Sequence, residues 1–207
     1  MAYRHDIFIS YKRHPETLGW IRKHFVPLLD LRVGLALGND PEIYVHEVNQ
    51  QIQAGAIWPQ VLGDELGASK VLVALWTKTF FNSVWCAKEM SHMLSREQEA
   101  GSRAAGNKYG LVIPAIIHDG EDFPQTLNYI QRIDIKSCYN TRMREDSPKA
   151  EELSDLIEVH AGGIAEAIRH APNWNPTWPQ VAANAFFDQF YRADSPVQTE
   201  VPKFQSK

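Results

Sequence analysis

Trp85 and Glu89 are the residues of this sequence whose types and spacing best suggest chemistry. They lie four positions apart, and on a helix this spacing places both side chains on one face. An aromatic plane beside a carboxylate can hold a flat ring and act on the bond attached to it. The pair follows the continuous apolar segment 71–76, VLVALW, which is typical of a strand buried on both faces of a sheet. We therefore predict a candidate active site near the end of a buried strand, although most glutamates on helices are simply solvated.

Strand-like and helix-like patterns alternate along the chain and predict the elements that position this pair. Strands are expected at 3–11, 42–45, 71–76, 111–117 and 132–135. Helices are expected at 17–31, 58–66, 151–169 and from a cap at Asn82 or Ser83 to about residue 100. Pro27 should kink or interrupt the first helix. The alternation predicts an α/β fold, a flavodoxin-like doubly wound sheet of five parallel strands.

Ligands of doubly wound sheets bind at the carboxyl ends of the strands, and three such ends are informative here. The first strand ends in Ser10, Tyr11, Lys12 and Arg13. The second leads into a long polar loop that contains Gly55 and precedes Trp58, and the third leads to Trp85 and Glu89. We expect these segments to meet in one cleft, with two cations for phosphates, aromatic rings and one carboxylate for chemistry.

Several enzyme and signalling classes that use this kind of fold are excluded by missing motifs. No GxGxxG follows the first strand, which argues against a Rossmann dehydrogenase, and there is neither a Walker A motif nor a GxSxG elbow. The third strand ends in Trp76 and Thr77, where a phospho-acceptor receiver domain needs an aspartate.

Composition narrows the class of protein further. The 207 residues suggest one domain with an appendage, and a net charge of -4 gives no electrostatic case for nucleic acid binding. Cys86 and Cys138 form no metal spacing, the eight histidines suggest no metal site, and a disulfide framework is not expected, so a reducing cytoplasm fits best. The N-terminus does not read as a signal peptide, and no apolar run approaches the roughly 20 residues that span a bilayer.

Three segments resemble the TIR (Toll/interleukin-1 receptor) domain family. Residues 6–13, DIFISYKR, resemble the first box of these domains, and the residues around Gly55 and Trp58 resemble their BB loop and following helix. Residues 85–89, WCAKE, resemble the WCxxE motif of prokaryotic and plant-type enzymatic TIR domains. The resemblance covers about residues 3–170. His46 and Glu47 stand where TIR domains often have an aspartate, a departure that concerns the BB loop rather than the fold.

The resemblance implies cleavage of NAD⁺ as a substrate, without a further cofactor and with Glu89 as the catalytic residue. Nicotinamide on NAD⁺ is a cationic leaving group and needs no general acid, whereas the oxocarbenium-like ribose needs stabilisation. We expect an ionised carboxylate, a form that a position early in a helix favours. Water as the acceptor gives ADP-ribose, an acceptor within the same molecule gives a cyclic product, and both outcomes remain open.

The predicted contacts to NAD⁺ are Ser10, Tyr11, Lys12, Arg13, Gly55, Trp58 and Trp85. Lys12 and Arg13 can bind pyrophosphate or ribose, or be ordinary surface charges, and the backbone at Ser10 and Tyr11 can hold the ligand or only close the strand. Trp85 can form a wall of the cleft or belong to the core. Cys86 has no histidine placed to activate it and is expected to be a small buried residue. His92 is expected to be structural or exposed.

The length of the chain and the resemblance together suggest a stand-alone cytoplasmic TIR protein of a bacterial anti-phage system, of the Thoeris type. Such a protein makes a cyclic ADP-ribose signal for a separate effector protein, and the family implies self-association through the BB loop. The alternatives are a non-enzymatic TIR scaffold and, more distantly, a nucleoside 2-deoxyribosyltransferase-like N-glycosidase.

The chain divides on composition into a TIR domain at 1–170 and a C-terminal extension at 171–207. The extension has an aromatic helix-like segment at 179–192 and a polar tail that is expected to fray. The aromatic segment either packs back on the domain or forms an interface.

Overall fold

The computed structural model describes residues 2–46, 58–103, 108–118 and 123–178, with residues 58–62 described by their backbone alone. The strands are β1 (His5–Tyr11), β2 (Ile43–Val45), β3 (Ser69–Trp76), β4 (Val112–Ile116) and β5 (Ile133–Asp134). The α-helices are α1 (Pro15–Trp20), α2 (Val26–Leu37), α3 (Trp58–Gly67), α4 (Lys78–Phe81), α5 (Val84–Ala100) and α6 (Pro148–Arg169). Two 3₁₀ turns lie at Gln125–Leu127 and Lys136–Cys138.

The five strands form one parallel sheet in the order β2-β1-β3-β4-β5. β1 lies between β2 and β3, with Ile9 paired to Val45 of β2 and Ser10 paired to Ala74 of β3. Helices cover both faces, which explains why β3 is apolar without alternation. The predicted α/β, doubly wound, flavodoxin-like sheet is confirmed.

The two faces of the sheet have separate hydrophobic cores. Ile7, Ile9 and Tyr11 of β1 lie in the core that includes residues of α2 and α6. Phe8 lies in the other core, which includes residues of α5. Because successive side chains of a strand point to opposite faces, Ser10 falls on the Phe8 side, toward α5.

The single helix expected at 17–31 is three consecutive helical segments. A π-helical turn, Ile21–Phe25, separates α1 from α2, and Pro27 falls within the first turn of α2. The residues before Pro27 are helical as well, so its missing N–H interrupts the hydrogen bonds of a continuing helix, as predicted. α2 then continues to Leu37 and ends at Gly38, whose φ of 86° is a left-handed cap conformation.

The chain after α6 runs back over the domain as far as it is described. Trp178 is only 3% exposed and lies against Tyr3 and Arg96, at 5.9 Å between ring centroids and 4.0 Å from guanidinium carbon to ring centroid. The predicted helix at 179–192 and the frayed tail lie outside the described residues, and the division at residue 170 stays a prediction. None of the described helices combines the length and apolarity that crossing a membrane requires.

Candidate active site

The start of α5 places the Trp85 and Glu89 pair at the carboxyl end of the sheet. β3 ends at Trp76, and Thr77 caps the short helix α4 by accepting a hydrogen bond from the backbone N–H of Phe80 at 3.0 Å. Ser83 then caps α5. The cap predicted at Asn82 or Ser83 is therefore made by Ser83, and α5 runs from this edge back across the sheet.

Glu89 is buried against the end of β1. Its side chain is directed to Ser10, whose hydroxyl donates a hydrogen bond to Oε2 of Glu89. Glu89 is 8% exposed and Ser10 is 1% exposed, so both atoms lie away from bulk water. Oε1 accepts no hydrogen bond from the described residues, which leaves it available to a ligand.

The charge state of Glu89 is not the one expected from its position early in a helix, which was predicted to keep the carboxyl ionised. Burial raises the pKa of Glu89 to about 7, and the Ser10 hydrogen bond and the positive charge of Arg13 only partly oppose this rise. Glu89 is the sixth residue of α5, beyond the first turn where the helix dipole acts. Desolvation of the charged form therefore outweighs these two effects, and the expected bias toward the ionised form is wrong.

Lys12 and Arg13 follow β1 at the mouth of this site and are solvent-exposed. The Arg13 charge acts on Glu89, and the charges of both cations act on Cys86. The structure thus brings these two predicted ligand residues and Glu89 to one edge of the sheet.

Cys86 is one turn before Glu89 and is 3% exposed. Burial, followed by the negative charge of Glu89, raises the pKa of the Cys86 thiol to about 12. A thiol in this state is not a nucleophile near neutral pH.

Trp85 lies at the boundary between the core and the surface near Glu89. It is partly buried and packs against the core cluster on the α5 side of the sheet. The ammonium group of Lys88 lies 5.1 Å from the centroid of its ring. Trp85 therefore contributes to both the core and the partly exposed surface near Glu89.

The remaining predicted contacts are placed differently. Tyr11 points to the face opposite Glu89 and donates a hydrogen bond of 3.0 Å to the backbone carbonyl of His46, so only its backbone can face a ligand at the Glu89 side. Gly55 lies outside the described residues. Trp58 begins α3, and its side chain lies outside the description.

Tyr44 is a neighbour of the site that sequence reasoning missed. It stacks on Phe8 with 5.1 Å between ring centroids, and the charges of Glu89 and Arg13 both act on it. Burial, followed by the charges of Glu65 and Glu89, raises the pKa of its hydroxyl to about 12. No sequence motif contains Tyr44. The one signal that could have placed it at the site was its position in a short strand beside β1.

His92, expected to be structural or exposed, is 7% exposed on α5. Burial and the nearby Arg96 charge lower its pKa to about 4, so the ring is neutral near neutral pH. No group of three or more His, Cys, Asp or Glu side chains that suits a metal ion exists among the residues that the structure describes.

Comparison with known proteins identifies the family of this fold and site. The family model described as TIR domain matches residues 7–154, and the chain therefore belongs to the TIR domain family. Among solved structures, the TIR domains of the activated Roq1 resistosome, which directly recognises the pathogen effector XopQ, are similar at 15% identity and a TM-score of 0.34. That match covers 76% of this chain and 83% of the other. No curated protein matches the chain.

Proposed function

We propose that this TIR domain is an NAD⁺ glycohydrolase or ADP-ribose cyclase that cleaves the bond between nicotinamide and ribose. The observation that carries the proposal is a buried carboxylate, Glu89, held by Ser10 at the carboxyl end of the sheet. That edge is where doubly wound folds bind ligands, and cations from the end of β1 border it. A scaffold that acts only through its outer surface needs no such carboxylate.

The chemistry requires the ionised form of Glu89. The electron pair of the N-glycosidic bond moves to the pyridinium nitrogen, and neutral nicotinamide leaves without a proton. The positive charge then lies on the ribose, where the Oε1 atom of Glu89 stabilises it electrostatically or bonds to the anomeric carbon. Because the cationic nicotinamide ring of bound NAD⁺ lies beside Glu89 in this proposal, substrate binding lowers the pKa of Glu89 from about 7.

The other proposed contacts follow the shape of the substrate. Lys12 and Arg13 bind the pyrophosphate, and the exposed part of Trp85 borders the nicotinamide ring. The backbone of Tyr11, together with Gly55 and Trp58, completes the proposed contacts. The Ser10 hydroxyl donates its proton to Glu89, so we assign this hydroxyl to the carboxylate rather than to the ligand.

The proposed biological role is that of a cytoplasmic enzyme of bacterial anti-phage defence. Family membership supports this role. In this proposed role, TIR-TIR self-association assembles the active form of the enzyme, and a cyclic ADP-ribose product carries the signal to a separate effector protein.

Nicotinamide release tests the proposed activity. Concentrated protein is incubated with NAD⁺ and release is followed by chromatography, with Glu89→Gln as the test variant and Glu99→Gln, an exposed position on the same helix, as the matched control. We expect Glu89→Gln to lose about 10²-fold or more of the activity, as for removal of a group that stabilises transition-state charge, and the control to retain it. Mass spectrometry of the products then separates hydrolysis from cyclisation.

The same assay separates the alternative functions. A TIR scaffold releases no nicotinamide even under conditions that drive assembly, and this result would contradict the proposal. A deoxyribosyltransferase-like enzyme instead releases the base from a 2'-deoxynucleoside, which is supplied in a parallel reaction.

A further inference from the structure

We infer that Ser10 is a positioning residue for Glu89: its buried hydroxyl fixes Oε2 of the carboxylate and thereby presents Oε1, in charged form, to the ribose of the substrate. This inference rests on the proposed function for the part that concerns the substrate. The contact between Ser10 and Glu89 is observed within the protein itself and does not depend on the proposed substrate.

The placement of Ser10 in the sheet makes its hydroxyl specific to Glu89. β1 lies between β2 and β3, and the residue paired with Ser10 on β3 is Ala74, which offers no side-chain acceptor. Ser10 is 1% exposed, so water does not compete for the hydroxyl. A serine has one proton to donate, and here that proton goes to Oε2 of Glu89.

Other titratable and charged groups lie around Glu89 on each neighbouring element. They are Lys12 and Arg13 after β1, Tyr44 on β2, and Cys86, Lys88 and His92 on α5. Lys12, Arg13 and Lys88 are solvent-exposed residues, and the positive charge of Arg13 adds to the Ser10 hydrogen bond in favouring the ionised Glu89. The thiol, phenol and imidazole of this set are neutral near pH 7.

Among the described residues, Ser10 donates the side-chain hydrogen bond that Glu89 accepts. A hydroxyl bonded to a carboxylate makes a charge-assisted bond, which is about twice as strong as one between neutral groups. The bond therefore favours the ionised carboxyl against the desolvation that opposes it. Loss of the hydroxyl should therefore raise the pH at which the carboxyl becomes charged.

The pH dependence of kcat/KM tests this role, because it reports ionisations of the free enzyme. We compare the wild type with Ser10→Ala, and with Ser10→Thr, which retains the hydroxyl, from pH 5.5 to 9.5. We expect Ser10→Ala to move the midpoint of the rise in activity upward by about one pH unit. Its activity should fall about tenfold at pH 6 and approach the wild-type value near pH 9. Ser10→Thr should restore the wild-type midpoint.

A purely structural role of Ser10 gives a different result. In that case Ser10→Ala loses activity by the same factor at every pH, the midpoint does not move, and the inference is overturned. If Ser10→Ala does not fold, Ser10→Cys takes its place, because a thiol is a weaker donor and an upward shift is again expected.

A second measurement distinguishes failure of this inference from failure of the proposed function. Thermal unfolding of the same proteins over the same pH range reports the ionisation of Glu89 without any substrate. If no protein cleaves NAD⁺ but the stability profile of Ser10→Ala moves to higher pH, the contact role stands and the enzyme proposal fails. If the wild type cleaves NAD⁺ and neither profile moves, the enzyme proposal stands and the role of Ser10 fails.

Discussion

The state of Glu89 is set by competition between desolvation and one strong hydrogen bond. Burial favours the neutral acid, whereas Ser10 and Arg13 favour the carboxylate, and the balance puts the pKa at about 7. A carboxyl of this kind changes charge within the physiological range. Such perturbed groups in clefts are characteristic of functional sites, although structural networks also produce them.

The raised pKa has a consequence for stability that can be measured without a substrate. Folded Glu89 binds its proton more tightly than unfolded Glu89, so its ionisation destabilises the fold as pH rises from about 4.5 to about 7. Glu89→Gln removes this cost. We expect the variant to match the wild type near pH 4.5 and to be more stable above pH 7, by up to about 3 kcal/mol. The melting temperature measured from pH 4.5 to 8.5 provides the test.

Glu99→Gln is the control for this experiment, since it makes the same chemical change at an exposed position of α5. Its melting temperature should stay within a degree or two of the wild type, as for most exposed substitutions. A difference between Glu89→Gln and the wild type that does not change with pH would refute the assignment of the raised pKa.

At the scale of elements, α5 is fixed to the sheet by a second buried carboxylate, Glu97. Its Oε1 accepts hydrogen bonds from the backbone N–H groups of Leu111 and Val112, at 2.5 and 2.8 Å. Its Oε2 accepts one from Arg103 at 2.8 Å. Glu97 therefore joins the end of α5 to the start of β4, and it helps to hold the helix that carries Glu89 against the sheet.

Truncation of this anchor should destabilise the protein strongly. Glu97→Ala leaves Nε of Arg103 and two backbone N–H groups without their acceptor, although Nη2 of Arg103 keeps its bond to the Val112 carbonyl. We expect a loss of about 3 kcal/mol in the free energy of unfolding. Urea denaturation measures the loss, with Glu99→Ala as the control on the same helix. Equal stabilities of the two variants would show that the anchor does not hold α5.

At the scale of the whole molecule, Arg96 joins the two ends of the described chain. Arg96 is fully buried and donates hydrogen bonds to the Ser69 carbonyl at 3.0 Å and the Tyr3 hydroxyl at 3.1 Å. Tyr3 in turn donates to the carbonyl of Pro172 at 2.7 Å, and the ring of Trp178 covers the guanidinium. The segment after α6 is thus attached to the amino end of the sheet, opposite Glu89.

Trp178 should accordingly contribute to the stability of the whole domain. Trp178→Ala removes a buried ring and its cation–π contact with Arg96, and we expect a loss of about 3 kcal/mol in the free energy of unfolding. Trp178→Phe keeps an aromatic face over the guanidinium and should lose less. Urea denaturation of both variants measures the difference, and an alanine variant as stable as the wild type would show that the segment is not part of the cooperative fold.

The strands could be predicted closely because apolar side chains are continuous in a doubly covered parallel sheet. The segment 71–76 falls within β3, and the Ser83 cap and the end of α5 near residue 100 also follow from local sequence preferences. The π-helical turn at Ile21–Phe25 was not predictable, since the pattern of apolar residues there fits a regular helix equally well.

The sequence by itself determined the order of the elements and the family of the protein. It also determined that Trp85 and Glu89 lie early in a helix after the third strand. Periodicity and short motifs encode all of these features locally. Only the tertiary structure decided that Ser10 faces Glu89 while Tyr11 faces away, and that Tyr44 lies near both charges. It also decided that Glu89 titrates near pH 7, because burial and partners distant in sequence fix the free energy of a charge.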